Sequence, residues 1–279
     1  MAASTLEPPP AASHPKPRLR WWREVLYILA FYAAYTAVRD LRGNRPVSRA
    51  QAFTNARRII SLERFFGLFQ EHRIQSWFLH FHLLVRTLDD FYGTAHFVIT
   101  LVALVYLFRR QPWRYPLWRN TLAITTGLAL VGFALFPLMP PRLLPSSFHI
   151  VDTLRSVGGL WSFDSGPMSK VSNQYAAMPS LHFAWAVWSA GVLAPAMRHR
   201  ATKVLVWCYP AVTLLCIVVT GNHYIFDAVG GALTLAAGYG GARLIARATD
   251  RRRREPEQAR QGVSSGSHPT PKPVRSRQP

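Results

Sequence analysis

The chain has 279 residues, 49% of them apolar, with 33 Lys and Arg against 13 Asp and Glu, a length that suits one membrane bundle with tails. A formal net charge of +20 would suggest nucleic acid as the partner of a soluble chain. Here the cations sit in linkers and tails between long apolar stretches, so positive-inside bias accounts for them and excludes the nucleic-acid reading.

Residues 1–20 carry almost no large apolar side chains, cannot bury a core, and read as a disordered cytoplasmic tail. From there to residue 248 the sequence reads as one membrane domain, all-α, built on six transmembrane helices with an interfacial helix after the first. A span needs ~20 mostly apolar residues to cross ~30 Å of hydrocarbon, because lipid cannot satisfy open backbone groups. Six stretches come close: 21–38, 88–108, 117–136, 181–197, 204–220 and 224–246. The first contains Arg23 and Glu24, so its clean run starts at Val25. Polar, proline-rich residues precede it and cleavage sites after it are poor, so it reads as an anchor that stays.

Residues 39–86 follow with nine arginines. Within them 56–69 place apolar side chains at helical spacing with charges opposite. That pattern is an amphipathic helix in the membrane interface, or a solvated charged face. In the second span Tyr92 and His96 share one face, and His80 and His82 stand just before it. Paired histidines in a span suggest haem ligation, but a matching pair on a second helix is not evident. A loop of about 40 residues follows the third span, broken by Pro137, Pro140, Pro141, Pro145 and Pro167; loops that long are commonly functional. Cys208 and Cys216 fall in the fifth span, roughly 12 Å apart by helical rise and too far for a disulfide. Gly230, Gly231, Gly238, Gly240 and Gly241 of the sixth permit close helix packing. Residues 249–279 read as a disordered basic tail whose Arg251 to Arg254 run suits anionic headgroups.

With six spans, four basic groups fall on one side of the membrane. They are Lys16 to Arg23, Arg109 to Arg119, Arg198 to Lys203, and nine cations from Arg247 to Arg277. That side is expected to be cytoplasmic, with both termini on it. The arginine-rich 39–86 falls opposite, against the same rule.

Three motifs then share the extracytoplasmic face by helix parity: Pro140-Pro-Arg-Leu-Leu-Pro145, Met178-Pro-Ser-Leu-His182 and Gly221-Asn-His-Tyr-Ile-Phe-Asp227. His223 and Asp227 are one helical turn apart, so Asp227 can accept a hydrogen bond from one ring nitrogen and raise the nucleophilicity of the other. A structural pair capping the helix has the same spacing. Pro179 and Ser180 read as the first turn of the fourth span, whose free N–H groups beside Ser180 and Leu181 suit phosphate oxygens. His182 in that turn can donate a proton to a leaving alkoxide. Arg142 offers a guanidinium that binds two phosphate oxygens, or is one more interfacial arginine. No carboxylate cluster of the kind that holds Mg²⁺ or Zn²⁺ stands near the motifs, so neither metal nor cofactor is expected.

Taken together, residues 140–231 resemble the type 2 phosphatidic acid phosphatase superfamily of membrane lipid phosphate phosphatases. The resemblance implies that His223 is a nucleophile forming a phosphohistidine, that Asp227 orients it, that His182 protonates the leaving group and that Ser180 contacts phosphate. Leu135, Leu143, Leu181, Cys216 and Ile217 replace residues of the family motifs, among them two of three expected cations. Met-Pro-Ser-Leu-His and Gly-Asn-His-Tyr look like the branch containing fungal inositol phosphorylceramide synthase, which implies an inositolphosphotransferase-like transferase. Lys170 or Arg155, both in the long loop, would supply missing charge. The substrate implied is a lipid-linked phosphate or phosphodiester among membrane lipids. The alternative is a membrane protein that binds lipid phosphate without turnover.

Overall fold

The computed structural model describes residues 20–27, 29, 30, 33, 48–157 and 174–265. Lys170 lies outside the described residues, as do 1–19 and 266–279 of the two tails. Among the described residues the chain is all-α, with only an isolated bridge between Leu138 and Ala176 in extended pairing. The helices are α1 (residues 21–27, with 29, 30 and 33), α2 (Arg49–Phe65), α3 (Glu71–Phe78), α4 (His82–Arg110) and α5 (Tyr115–Leu135). They continue as α6 (Thr153–Ser156), α7 (Leu181–Leu193), α8 (Arg200–Val219) and α9 (Ile225–Ser265). Backbone helix therefore persists in α9 past residue 249, where the sequence suggested a disordered tail.

Local chemistry sets several ends. The Ser48 hydroxyl accepts the Gln51 N–H at the start of α2, and the Ser180 hydroxyl accepts the Phe183 N–H at the start of α7. Pro179 therefore precedes α7 rather than forming its first turn. Glu24, which interrupts the apolar run of the first span, is held by Arg119 of α5 at 2.8 Å and by the Tyr115 hydroxyl at 3.0 Å. An ionised group inside an apolar run is tolerable when so paired.

α7 stands in the middle, packed by α4, α5, α8 and α9, while α9 lies along α5. Two helices, α4 and α8, are long and apolar enough to cross a membrane. α7 has 13 residues, about 20 Å of rise, which falls short of the hydrocarbon thickness even though a 3₁₀ turn, Ala194–Ala196, continues it. The bundle is apolar on its outside: Phe97, Leu101 and Val105 of α4, Val131 and Leu135 of α5, Leu205 and Trp207 of α8, and Leu233 and Leu244 of α9 are all exposed. A water-soluble bundle turns such residues inward, and this exposed surface is that of a membrane protein.

The amphipathic stretch 56–69 is not one helix lying on the surface. α2 ends at Phe65, Gly67 turns the chain with φ +68°, and α3 begins at Glu71. The apolar stripe Ala52, Ala56, Ile59 and Ile60 packs on Leu138, Met139 and Tyr224, so its partner is protein; the opposite face, with Arg57, Arg58 and Leu62, is exposed, as is Phe65 at the helix end, at 82%.

Candidate functional site

The site forms where α4, α7 and the α8–α9 corner meet. Gly221 makes that corner with φ +66°, a backbone conformation that side chains disfavour. A Cβ there would also press on Arg142, Gln75 and Ile150 at 3.3 Å each. The Gly221 carbonyl accepts the Arg142 N–H at 2.8 Å, so motif one is stitched to motif three through main chain. Gln75 braces the same corner, its Nε2 donating to the Val219 and Val151 carbonyls at 3.0 and 2.9 Å.

His223 follows, 3% exposed. Its Nδ1 lies 2.8 Å from the Ala177 carbonyl and 3.2 Å from Asp227 Oδ2. A carbonyl oxygen only accepts, so Nδ1 carries the proton and donates, which leaves the lone pair of the ring on Nε2. The spacing read from sequence assigned this control to Asp227 alone; the nearer partner is the main chain just before Met178. Asp227 Oδ2 also accepts the Tyr224 N–H at 3.0 Å, and the buried Tyr224 hydroxyl donates to the Met139 carbonyl. Asp227→Asn is accordingly expected to lower kcat by about 10- to 100-fold, less than the roughly 10⁴-fold of a site whose aspartate alone sets the tautomer. Asn keeps one oxygen for both donors, Ala177 keeps the tautomer, and what is lost is the negative charge beside the ring. A kcat deficit near 10⁴-fold would show that Ala177 does not hold the ring.

His182 lies with its ring centroid 5.5 Å from that of His223. Tyr92 stacks on it at 4.1 Å and 21°, and His96 meets it edge-on at 4.2 Å. His96 in turn gives its Nδ1–H to the Tyr92 carbonyl at 3.0 Å. The shared face of Tyr92 and His96 thus serves to hold the second histidine of the site. That partnership was missed in the sequence because nothing local to residues 92 and 96 points to residue 182.

The phosphate-binding candidates divide. Ser180 is fully buried, its hydroxyl caps α7 and its N–H is taken by the Asp227 carbonyl at 2.9 Å, so it ties α7 to α9. The first N–H groups inside α7, those of Leu181 and His182, have no acceptor within the helix. Arg142 pairs with Asp152 at 3.1 Å, a partner the sequence did not suggest, and its buried Nε has no hydrogen bond. Asp89, also buried, accepts from Thr153 beside Asp152 at 2.8 Å. Arg155 is exposed on α6. Two further buried acids, Glu63 and Glu71, reach the first turn of α9; the legible signal for Glu63 is a charge on the apolar stripe of α2.

Compared with known families, the sequence matches the model described as the PAP2 superfamily over residues 57–241, about two thirds of the chain. The matched stretch includes all three motifs. No curated protein and no solved structure matches the chain.

Proposed function

Because the chain belongs to the PAP2 superfamily, a membership that points to phosphatase or phosphotransferase activity, we propose that it is a lipid phosphotransferase or lipid phosphate phosphatase working through a phosphohistidine, without a metal. The observation that carries this reading is the His223 ring, whose Nδ1–H is engaged by Ala177 and Asp227 while Nε2 stays free, 5.5 Å centroid to centroid from His182. Nε2 attacks phosphorus, the ester P–O bond breaks, and His182 gives its proton to the leaving alkoxide. Water or a lipid alcohol then attacks phosphorus, returns a proton to His182 and releases Nε2. Arg142 and the Leu181 N–H bind phosphate oxygens. Lys170 and Arg155 are further candidates from the long loop.

Transfer to an alcohol, as in an inositolphosphotransferase, suits the site better than hydrolysis of a monoester. Arg142 is already partly neutralised by Asp152, and a dianionic monoester loses more than a singly charged diester where cations are few. The same ion pair favours one rival, a protein that binds lipid phosphate without turnover. Purified protein in chelator, given a labelled lipid phosphodiester and candidate lipid alcohols, is expected to move the label to the alcohol, with vanadate inhibiting. Inorganic phosphate as the sole product would select hydrolysis, label that never moves would select the binding protein, and activity that returns only with Mg²⁺ would overturn metal independence.

In the same reading the chain makes six spans, with both termini cytoplasmic and the site on the extracytoplasmic face of the cell membrane. The apolar outer surface and the four basic groups support it. A reporter fused after Gly221 that reads as cytoplasmic would overturn that orientation.

A further inference from the structure

Two acids outside the motifs touch the turn that carries His223. Glu63 of α2 and Glu71 of α3 are 0% and 1% exposed. Glu63 Oε1 accepts the Phe226 N–H at 2.8 Å, Glu71 Oε1 accepts the Ile225 N–H at 3.2 Å, and Asp227 Oδ2 accepts the Tyr224 N–H at 3.0 Å. Three successive N–H groups at the start of α9 are thus each held by a carboxylate, two of them from the α2–α3 hairpin. A helix N-terminus favours negative charge, but three buried carboxylates repel one another and each resists ionisation.

The remaining oxygens carry the inference. Glu63 Oε2 and Glu71 Oε2 are buried and accept no hydrogen bond from any described donor. The two carboxyls are neighbours, holding the successive N–H groups of Phe226 and Ile225. Two buried acceptors with no donor on neighbouring carboxyls are costly, whereas one proton between them turns both into partners: the O–H of one acid donates to the carboxylate of the other.

We propose that Glu63 and Glu71 share one proton as a carboxyl–carboxylate pair and are positioning residues, clamping the first turn of α9, and with it His223 and Asp227, to the α2–α3 hairpin. Their effect on turnover rests on the catalytic reading of His223 given above; the shared proton does not. Sharing also spares the start of α9 three full charges in one buried cluster.

Burial, then Glu71, pushes Glu63 up to about 9, and burial raises Glu71 as well. The titratable group of α9 that acts on the pair is Asp227, and Tyr224 of the preceding turn feels the charge of both. The sign of the pH dependence follows. The folded state keeps a proton that the unfolded chain releases near 4.5, so this contribution to stability is complete below that pH and is lost as pH rises towards about 9.

Glutamine supplies a fixed N–H where the shared proton sits. Glu63→Gln and Glu71→Gln each place one amide donor against the other residue's Oε2, whereas the double glutamine variant sets two donors face to face. Thermal unfolding of the full chain in detergent, followed from pH 5 to pH 9.5, is expected to show a midpoint that falls with pH in wild type. Each single glutamine variant is expected to flatten that fall, and the double variant to unfold lower than either single at every pH. Glu63→Ala is expected to lower kcat by on the order of 10²-fold with KM changed little, the scale of a small displacement of a reacting group, and Glu63→Gln to restore most of it. A wild-type pH slope in the single variants, or a double variant as stable as they are, would overturn the shared proton. Glu63→Ala with wild-type kcat would overturn the positioning role. The unfolding arm needs no substrate, so a chain that turns nothing over fails the catalytic reading while the proton pair is still decided.

Discussion

His223→Ala is expected to reduce turnover by roughly 10⁴-fold or more, the scale on which loss of a covalent nucleophile registers. Nδ1 of His223 is committed to Ala177 and Asp227, so Nε2 is the lone pair the site offers to phosphorus, and alanine leaves nothing in its place. His182→Ala is expected to cost about 10²- to 10⁴-fold on lipid esters, whose alkoxide leaves poorly without a proton. The two variants separate on a substrate with an acidic leaving group, such as a nitrophenyl phosphate ester. There the His182 variant regains activity because the departing oxygen needs no proton, and the His223 variant does not. Steady-state rates on both substrates, with unfolding midpoints as the control for folding, make the measurement. Near-wild-type turnover by His223→Ala would end the phosphohistidine mechanism.

Gly231→Ala is expected to have the largest effect of any substitution outside the catalytic groups. A Cβ at Gly231 would collide with the Ser180 carbonyl oxygen and press on its carbon at 3.3 Å, so the obstacle is backbone that has no rotamer with which to yield. α9 would have to move off the first turn of α7, which carries Ser180, Leu181 and His182. Overpacking of this kind costs about 1–3 kcal/mol, or roughly 2–10 °C in unfolding midpoint for a bundle of this size, and turnover should fall with it because the His182–His223 distance changes. Gly240→Ala is the control. Nothing lies within 4 Å of its Cβ, and alanine favours helix over glycine, so the midpoint should hold or rise. Equal midpoints for the two variants would show that α7 and α9 do not depend on the close approach.

Those glycines also show how far a sequence reading reaches. All five in the sixth span were expected to permit packing, and the distances divide them. Gly231 and Gly238 meet backbone, Gly230 meets the Met178 side chain at 3.2 Å, Gly241 makes ordinary contact with Ile124, and Gly240 faces open space. Composition reports that a helix can approach closely, but only the neighbour decides where it does. Tyr92 and His96 teach the same lesson. Their four-residue spacing correctly placed them on one face, and the haem suggestion arose because local spacing carries no information about what that face meets.

By itself the sequence determined the helical stretches, the membrane character and the positions of His182, His223 and Asp227 at helix starts. Apolar run length, helical period and capping chemistry are local, and each is written in adjacent residues. The tertiary structure alone decided which atoms those side chains meet. The Nδ1 partner of His223 is Ala177, 46 residues away in sequence, and the acids at the start of α9 come from 154 and 163 residues away. It also gave the apolar stripe of α2 a protein partner, in Leu138, Met139 and Tyr224. A buried polar group must be satisfied wherever a partner can be brought to it, and the order of residues along the chain does not say which partner that will be.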